Sequence, residues 1–304
     1  MSMKPRDLAD YLFLALAWGF SFLFVRLVSH SFGWIGAVSL RALVATAAVW
    51  LMAKATRRTL KFNAGWRPFA VVGATAVAGQ LLGISFAIPR IGTAMAAIIV
   101  ATIPLFAMLI GQVWGLEKIS LRGLVGLLMG FAGIILLVGF PVVTIDGDFL
   151  LGSASCLLGC ISAAYGSNYA SHRLKGTGSW EVTIGSFLFG GLLSLPLLYF
   201  VPVPIVPGPM DYVALIFLGC VMSGMTYVRF YRLIVAIGAT KAISVEFVVT
   251  IVAALVGVAF LGEQLSLVQS LGAAIILFGC ALVLGLIPAW STETHKKSPA
   301  EAGL

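Results

Sequence analysis

The sequence predicts an all-α integral membrane protein: ten transmembrane helices in a 5+5 inverted-topology repeat, with both termini cytoplasmic. Three observations carry that expectation. They are a composition that no soluble core can hold, ten apolar stretches of spanning length, and a self-similarity at about half the chain length. The 304 residues are 61% hydrophobic and 10% charged, where soluble globular chains carry about 25% charged residues. Mean hydropathy is +1.08. A water-soluble fold of this length cannot hide so much apolar surface, and disorder is excluded more firmly still. Transport, signalling or chemistry within the membrane remain.

A spanning helix needs about 20 mostly apolar residues. Such stretches run at roughly 8–29, 33–53, 67–88, 92–115, 121–141, 149–171, 180–201, 211–234, 239–261 and 266–288. The first follows Met1-Ser2-Met3-Lys4-Pro5-Arg6. Its apolar run, Tyr11 to Val28, is long for a signal-peptide core and no small-x-small site follows it, so it reads as a retained helix. The organisation expected is a first five-helix unit at 1–145, a second at 146–290 and a short cytoplasmic tail at 291–304.

Orientation follows from the basic residues. With the N-terminus inside, the inner segments hold all of the 19 Lys and Arg residues except Arg26, Arg41 and Arg90. The outer segment between the fifth and sixth stretches carries Asp146 and Asp148 and no basic residue. This is the positive-inside asymmetry. It accounts for the net charge of +8 by anionic lipid at the inner face, with no need of nucleic acid. The four cysteines, Cys156, Cys160, Cys220 and Cys280, all lie in apolar stretches and read as small apolar residues.

The repeat is direct. A shift of 146 lays Gly92–Gly139 over Gly238–Gly285 without a gap. Gly92/Gly238, Gly111/Gly257, Glu117/Glu263, Gly126/Gly272, Gly133/Gly279 and Gly139/Gly285 are among the matches. Upstream, a shift of 147 lays Ala17-Trp18-Gly19 over Ala164-Tyr165-Gly166 and Arg26 over Arg173. An odd number of spans per unit forces the two units into opposite orientations. That is an architecture of secondary transporters, whose halves trade conformations about a central site.

Trp18-Gly19-Phe20-Ser21, Arg41 and the two helix–Glu–helix units, above all Gly238-Ala239-Thr240 through Gly262-Glu263-Gln264-Leu265-Ser266 to Gly272, resemble the EamA-type proteins of the drug/metabolite transporter superfamily. The resemblance covers about 8–288. It implies a ten-helix carrier of a bacterial inner membrane, usually an exporter of metabolites, amino acids or drugs. It also implies a proline bend in the middle of helices four and nine. Pro104 fits the first, but Thr250 stands at the second.

Glu246 is the sharpest functional candidate. It lies about eight residues into the ninth stretch among Val245, Phe247, Val248 and Val249. A carboxylate at that depth costs roughly 2.5 kcal/mol or more unless it is paired, neutral or facing water. Proton coupling or contact with a substrate amine would use it; a bond to a neighbouring helix is the structural alternative. Arg41, about eight residues into the second stretch from the outside, either meets a substrate carboxylate or snorkels outward over about 12 Å. Trp18, Ser21, Tyr165 and Asn168 lie on repeat-partner helices, where a cavity wall or helix packing would each account for them. Gln80 and Tyr227 are further substrate-binding candidates, and Pro104 is the candidate bend.

Enzyme signals are missing: there is no His-Glu-x-x-His, no P-loop and no paired intramembrane carboxylate. No catalytic residue, cofactor or metal site is expected. The partners expected are a small-molecule substrate and the lipid bilayer, with the chain a monomer or a homodimer. The function expected is secondary transport of small metabolites by alternating access, with export of amino acids or other small organic compounds and proton coupling. A sugar-phosphate or nucleotide-sugar carrier and a lipid-modifying enzyme are the alternatives.

Overall fold

The computed structural model describes residues 4–115, 120–139, 146–201, 203–237, 242–243 and 245–283. Glu117, Gly238 and the tail after 283, which the repeat and topology readings also use, lie outside the described residues. Among the described residues every regular element is helical. Among the described residues, six helices are long and apolar enough to cross a membrane.

Helix α1 (Pro5–Ala55) has 51 residues. A straight helix of that length would measure roughly 76 Å, more than twice the hydrocarbon thickness of about 30 Å. It is broken at Gly33, whose φ of 72° and ψ of 162° leave the helical region. Only glycine reaches that region without a Cβ penalty. The two limbs on either side correspond to the first two apolar stretches. Gly92, with φ 82°, plays the same part between α2 (Trp66–Ile91) and α3 (Thr93–Val113).

Helix α3 is interrupted at Ala101–Thr102, between Thr93–Val100 and Ile103–Val113. Pro104 follows at once, and its missing N–H leaves the Val100 carbonyl without the usual i+4 donor. Helices α4 (Leu121–Gly139) and α5 (Gly147–Arg173) come next. Asp146 caps α5, its carboxylate accepting from the Phe149 N–H at 2.8 Å. Then come α6 (Ser179–Tyr199), α7 (Pro209–Ile237), α8 (Val245–Leu261) and α9 (Leu267–Val283). Helix α8 runs on through Thr250. The Thr250 hydroxyl lies 2.7 Å from its own i−4 carbonyl at Glu246 and 3.1 Å from the Ala97 carbonyl of α3. The bend ahead of Pro104 therefore has no counterpart in α8.

Two local features repeat along the chain. Helix α2 holds a π turn at Gly73–Gly79 and α7 holds one at Cys220–Met225. Their first residues are 147 positions apart, the offset read from the sequence. Helices α4 and α9 meet through glycines. A Cβ on Gly133 would lie 2.7 Å from the Gly272 carbonyl oxygen, and one on Gly279 would lie 2.6 Å from that of Gly126. Gly133/Gly279 and Gly126/Gly272 are repeat partners, so the two contacts exchange under the shift of 146, as an isologous contact does.

Candidate functional site

The two limbs of α1 meet α2, α3, α7 and α8 around a central cavity of about 50 Å³. A buried water needs roughly 10–15 Å³ of such space, so the cavity holds only a few. Its wall includes Trp18, Ser21, Arg41, Gln80, Tyr227 and Glu246. A second lobe of about 20 Å³ shares Trp18, Gln80, Tyr227 and Glu246 and adds Ser167, Phe230 and Tyr231. Those four shared residues form the partition between the lobes.

Arg41 is 5% exposed and Glu246 8%. The Nε of Arg41 is buried without a hydrogen-bond partner. Among the described residues neither side chain makes an ion pair, with the other or with a third group. An arginine and a glutamate thus line one small cavity without forming an ion pair with each other. In an apolar surrounding such groups are costly unless something bridges or hydrates them.

Aromatic rings hold the partition. Trp18 packs on Tyr227 and Phe230 at centroid distances of 5.3 and 5.2 Å, and Tyr227 packs on Phe187 at 4.7 Å. The Trp18 Nε1–H donates to the Thr226 hydroxyl at 3.0 Å. That hydroxyl lies 2.9 Å from the carbonyls of Met222 and Ser223, within the π turn of α7. Ser21 is tied to the Trp18 carbonyl at 2.7 Å. The π turn of α2 is held from another helix in turn: the Ser162 hydroxyl of α5 donates to the Thr75 carbonyl at 3.0 Å. Gln80 and Tyr227, each one or two residues beyond a π turn and 147 positions apart, both reach the partition.

Both ends of the bundle are tied by polar bonds. At the end holding residue 5, Asp7 and Asp10 of α1 pair with Arg229 and Arg232 of α7. Arg229 to Asp10 measures 3.4 Å and Arg232 to Asp7 3.5 Å, and Arg232 also contacts Asp10. At the other end Arg26 pairs with Glu263 at 3.0 Å, and the Ser31 hydroxyl donates to Asp211 at 2.7 Å. The Glu263 carboxylate also accepts the N–H groups of Thr93 and Ala94 at 2.7 and 2.6 Å, capping α3.

Of the residues singled out in the sequence, Trp18, Ser21, Arg41, Gln80, Tyr227 and Glu246 come together around the cavity. Tyr165 and Asn168 lie away from it. Tyr165 shares an exposed stripe of α5 with Leu158 and Ile161 and packs on Trp114 at 5.1 Å. The amide of Asn168 donates to the Ala107 and Ala164 carbonyls at 3.0 and 3.1 Å, bonding α5 to α3. The repeat alignment places a residue along its helix but does not fix the helix's rotation. Here Ser155, Gly159, Ser162 and Gly166 meet α2 at close range. Ala163 and Ser167, rather than Tyr165, then border the second lobe. The pairing of Asp7 and Asp10 with Arg229 and Arg232 joins residues more than 200 positions apart, and the distribution of basic residues along the chain does not reveal it. The matching i, i+3 spacing of the two pairs was the available signal.

Helices long and apolar enough to cross a membrane, packed around a small cavity lined by Arg41 and Glu246, are the architecture of an integral membrane protein with an internal polar site. The sequence profile of the EamA-like transporter family matches residues 11–139 and 150–285, and the chain belongs to that family. It is 28% identical over 195 residues to the uncharacterized inner membrane transporter YedA of Escherichia coli strain K12, across 64% of this chain and 62% of YedA. It is 28% identical over 235 residues to the WAT1-related protein At3g02690, chloroplastic, of Arabidopsis thaliana, across 71% of this chain and 53% of that protein. The uncharacterized transporter YoaV of Bacillus subtilis strain 168 is 21% identical over 269 residues, across 88% and 92% of the two chains. The chain thus aligns with only about six-tenths of YedA and half of the Arabidopsis protein. A crystal structure at 17% identity superposes with a TM-score of 0.69, covering 93% of this chain and 98% of that one; a likeness at that identity concerns the fold alone.

Proposed function

We propose that this protein is a secondary transporter of small zwitterionic metabolites, amino acids foremost, exporting them across a bacterial inner membrane by alternating access. The observation that carries the reading is that Arg41 and Glu246 line one cavity and form no ion pair among the described residues. A substrate with a carboxylate for Arg41 and an ammonium for Glu246 would satisfy both charges at once. A phosphorylated anion would instead need several cations, and among the described cavity residues Arg41 is the only one, with Glu246 in the same wall.

The architecture in this reading is ten helices in a 5+5 inverted repeat with both termini cytoplasmic. The paired π turns and the exchanged glycine contacts between α4 and α9 support it, as does the distribution of Lys and Arg. At about 50 Å³ the cavity is too small for an amino acid, so loading requires the halves to part. Pro104 and the break beside it give α3 a bend at which this could occur. Glu246 would exchange a proton for substrate ammonium during the cycle.

The test is flux of labelled amino acids into and out of liposomes holding the purified protein, with and without an inward proton gradient. Saturable flux of at least one compound is expected. Glu246→Gln is expected to retain folding and lose the gradient's effect, and unchanged coupling in that variant would remove Glu246 from the proposed role.

A further inference from the structure

A second and much larger cavity, of about 570 Å³, opens at the end of the bundle that holds residue 5. It lies between both limbs of α1, the start of α6 and the second half of α7. Arg6, Arg58, Arg229 and Arg232 line it, with Asp10 and Trp180. Its volume falls in the range of pockets that bind discrete ligands, about 300–1,000 Å³. Transport through the central cavity makes no direct use of Arg6, Arg58 or Trp180.

The charge in this cavity is unbalanced. Arg229 and Arg232 are matched by Asp7 and Asp10. Arg6 and Arg58 form no ion pair among the described residues, which leaves two guanidinium charges free. Arg58 is held in place: its guanidinium lies over the Trp180 ring at 4.9 Å from the centroid. Trp is enriched at the headgroup level of a bilayer, so Trp180 beside four arginines fits the level of lipid phosphates. Met52, Met225 and Val228 add an apolar wall, against which a glycerol backbone and the first acyl carbons could rest. Arginine forks match phosphate oxygens in geometry as well as in charge, and basic pockets between helices at the inner face bind anionic headgroups.

We propose that the arginine-lined cavity between α1, α6 and α7 is a binding site for an anionic phosphate, either the phosphodiester of an acidic lipid headgroup or free phosphate. Arg6 and Arg58 supply the unmatched charge. The bound anion also sits beside Arg229 and Arg232, where it competes with Asp7 and Asp10 for them.

The experiment measures thermal unfolding of the purified full chain in neutral detergent. Phosphatidylglycerol, phosphatidylcholine, or inorganic phosphate against chloride at matched ionic strength is added to each sample. The wild type should gain stability with phosphatidylglycerol over phosphatidylcholine. That gain should vanish in Arg6→Gln/Arg58→Gln, shrink in Arg58→Gln and persist in Arg58→Lys. A gain with inorganic phosphate as well would make the free anion a ligand, and a gain with the lipid alone would assign the headgroup. An equal gain in wild type and the double variant, or no gain with either ligand, overturns the proposal. If the double variant does not purify as a folded species, the contrast between Arg58→Gln and Arg58→Lys decides. The readout needs no transport substrate, so it stands or falls apart from the carrier reading.

Discussion

Glu263 shows how much one side chain can hold. Its carboxylate accepts two backbone N–H groups at the start of α3 and pairs with Arg26. Removing it would leave both donors and a guanidinium without their acceptor. Each unsatisfied group of this kind costs about 1–3 kcal/mol. Arg26 is half-exposed and rehydrates, so the two N–H groups set the loss: Glu263→Ala should destabilise the protein by about 2–6 kcal/mol, read as a lowered unfolding midpoint in detergent. Glu263→Gln, which keeps one carbonyl acceptor, should lose less. Equal midpoints for wild type and the alanine variant would contradict the cap. From sequence this residue reads only as one half of a repeat match. Its partners lie 169, 170 and 237 positions away, and no local pattern reveals them. The same holds for Trp18 and Thr226, bonded across 208 positions.

Between elements, the close approaches run through glycine. The α4–α9 contact has backbone against backbone, so a side chain cannot be accommodated by a rotamer change there. Gly279→Val should cost about 1–3 kcal/mol or more, as overpacking does, and it should lower the yield of folded protein. Gly115→Ala, where no described residue lies within 4 Å of the added carbon, tests backbone strain at φ 69° and should cost about 1–2 kcal/mol. Comparing the two by thermal unfolding separates packing from conformation. The spacing of these glycines was legible in the sequence, and so was the chain reversal near Gly33. The π turns were not. They depend on hydrogen bonds brought by other helices, such as Ser162 to the Thr75 carbonyl, and Gly73–Gly79 taken alone reads as ordinary helix.

For the whole molecule, polar bonds tie both ends of the bundle around a small central cavity. Alternating access requires the ties at one end to open while the other end stays shut. Weakening the Asp7/Asp10 ties should therefore bias the protein toward opening at that end. Asp7→Asn/Asp10→Asn should increase labelling of Gln80→Cys by a water-soluble thiol reagent added from the side of residue 5, in a background with the native cysteines replaced. Labelling unchanged from that side, in protein that remains folded, would show that these ion pairs are not a gate. Arg26 and Glu263 serve the opposite end, and weakening them should favour access from there.

The sequence by itself determined the membrane setting, the internal offset of 146–147 and the family. All of these rest on composition and on spacing along the chain. Tertiary structure alone decided which side of each helix faces the cavity. It turned Tyr165 outward and Ser167 toward the second lobe, set Asn168 to bond α3, and joined Asp7 and Asp10 to Arg229 and Arg232. The physical reason is the solvent. Lipid tails are as apolar as the protein interior, so the hydrophobic pattern that betrays the buried face of a helix in water is missing here. Rotation is left to glycine contacts, hydrogen bonds and ion pairs between distant residues, which exist only once the helices have packed.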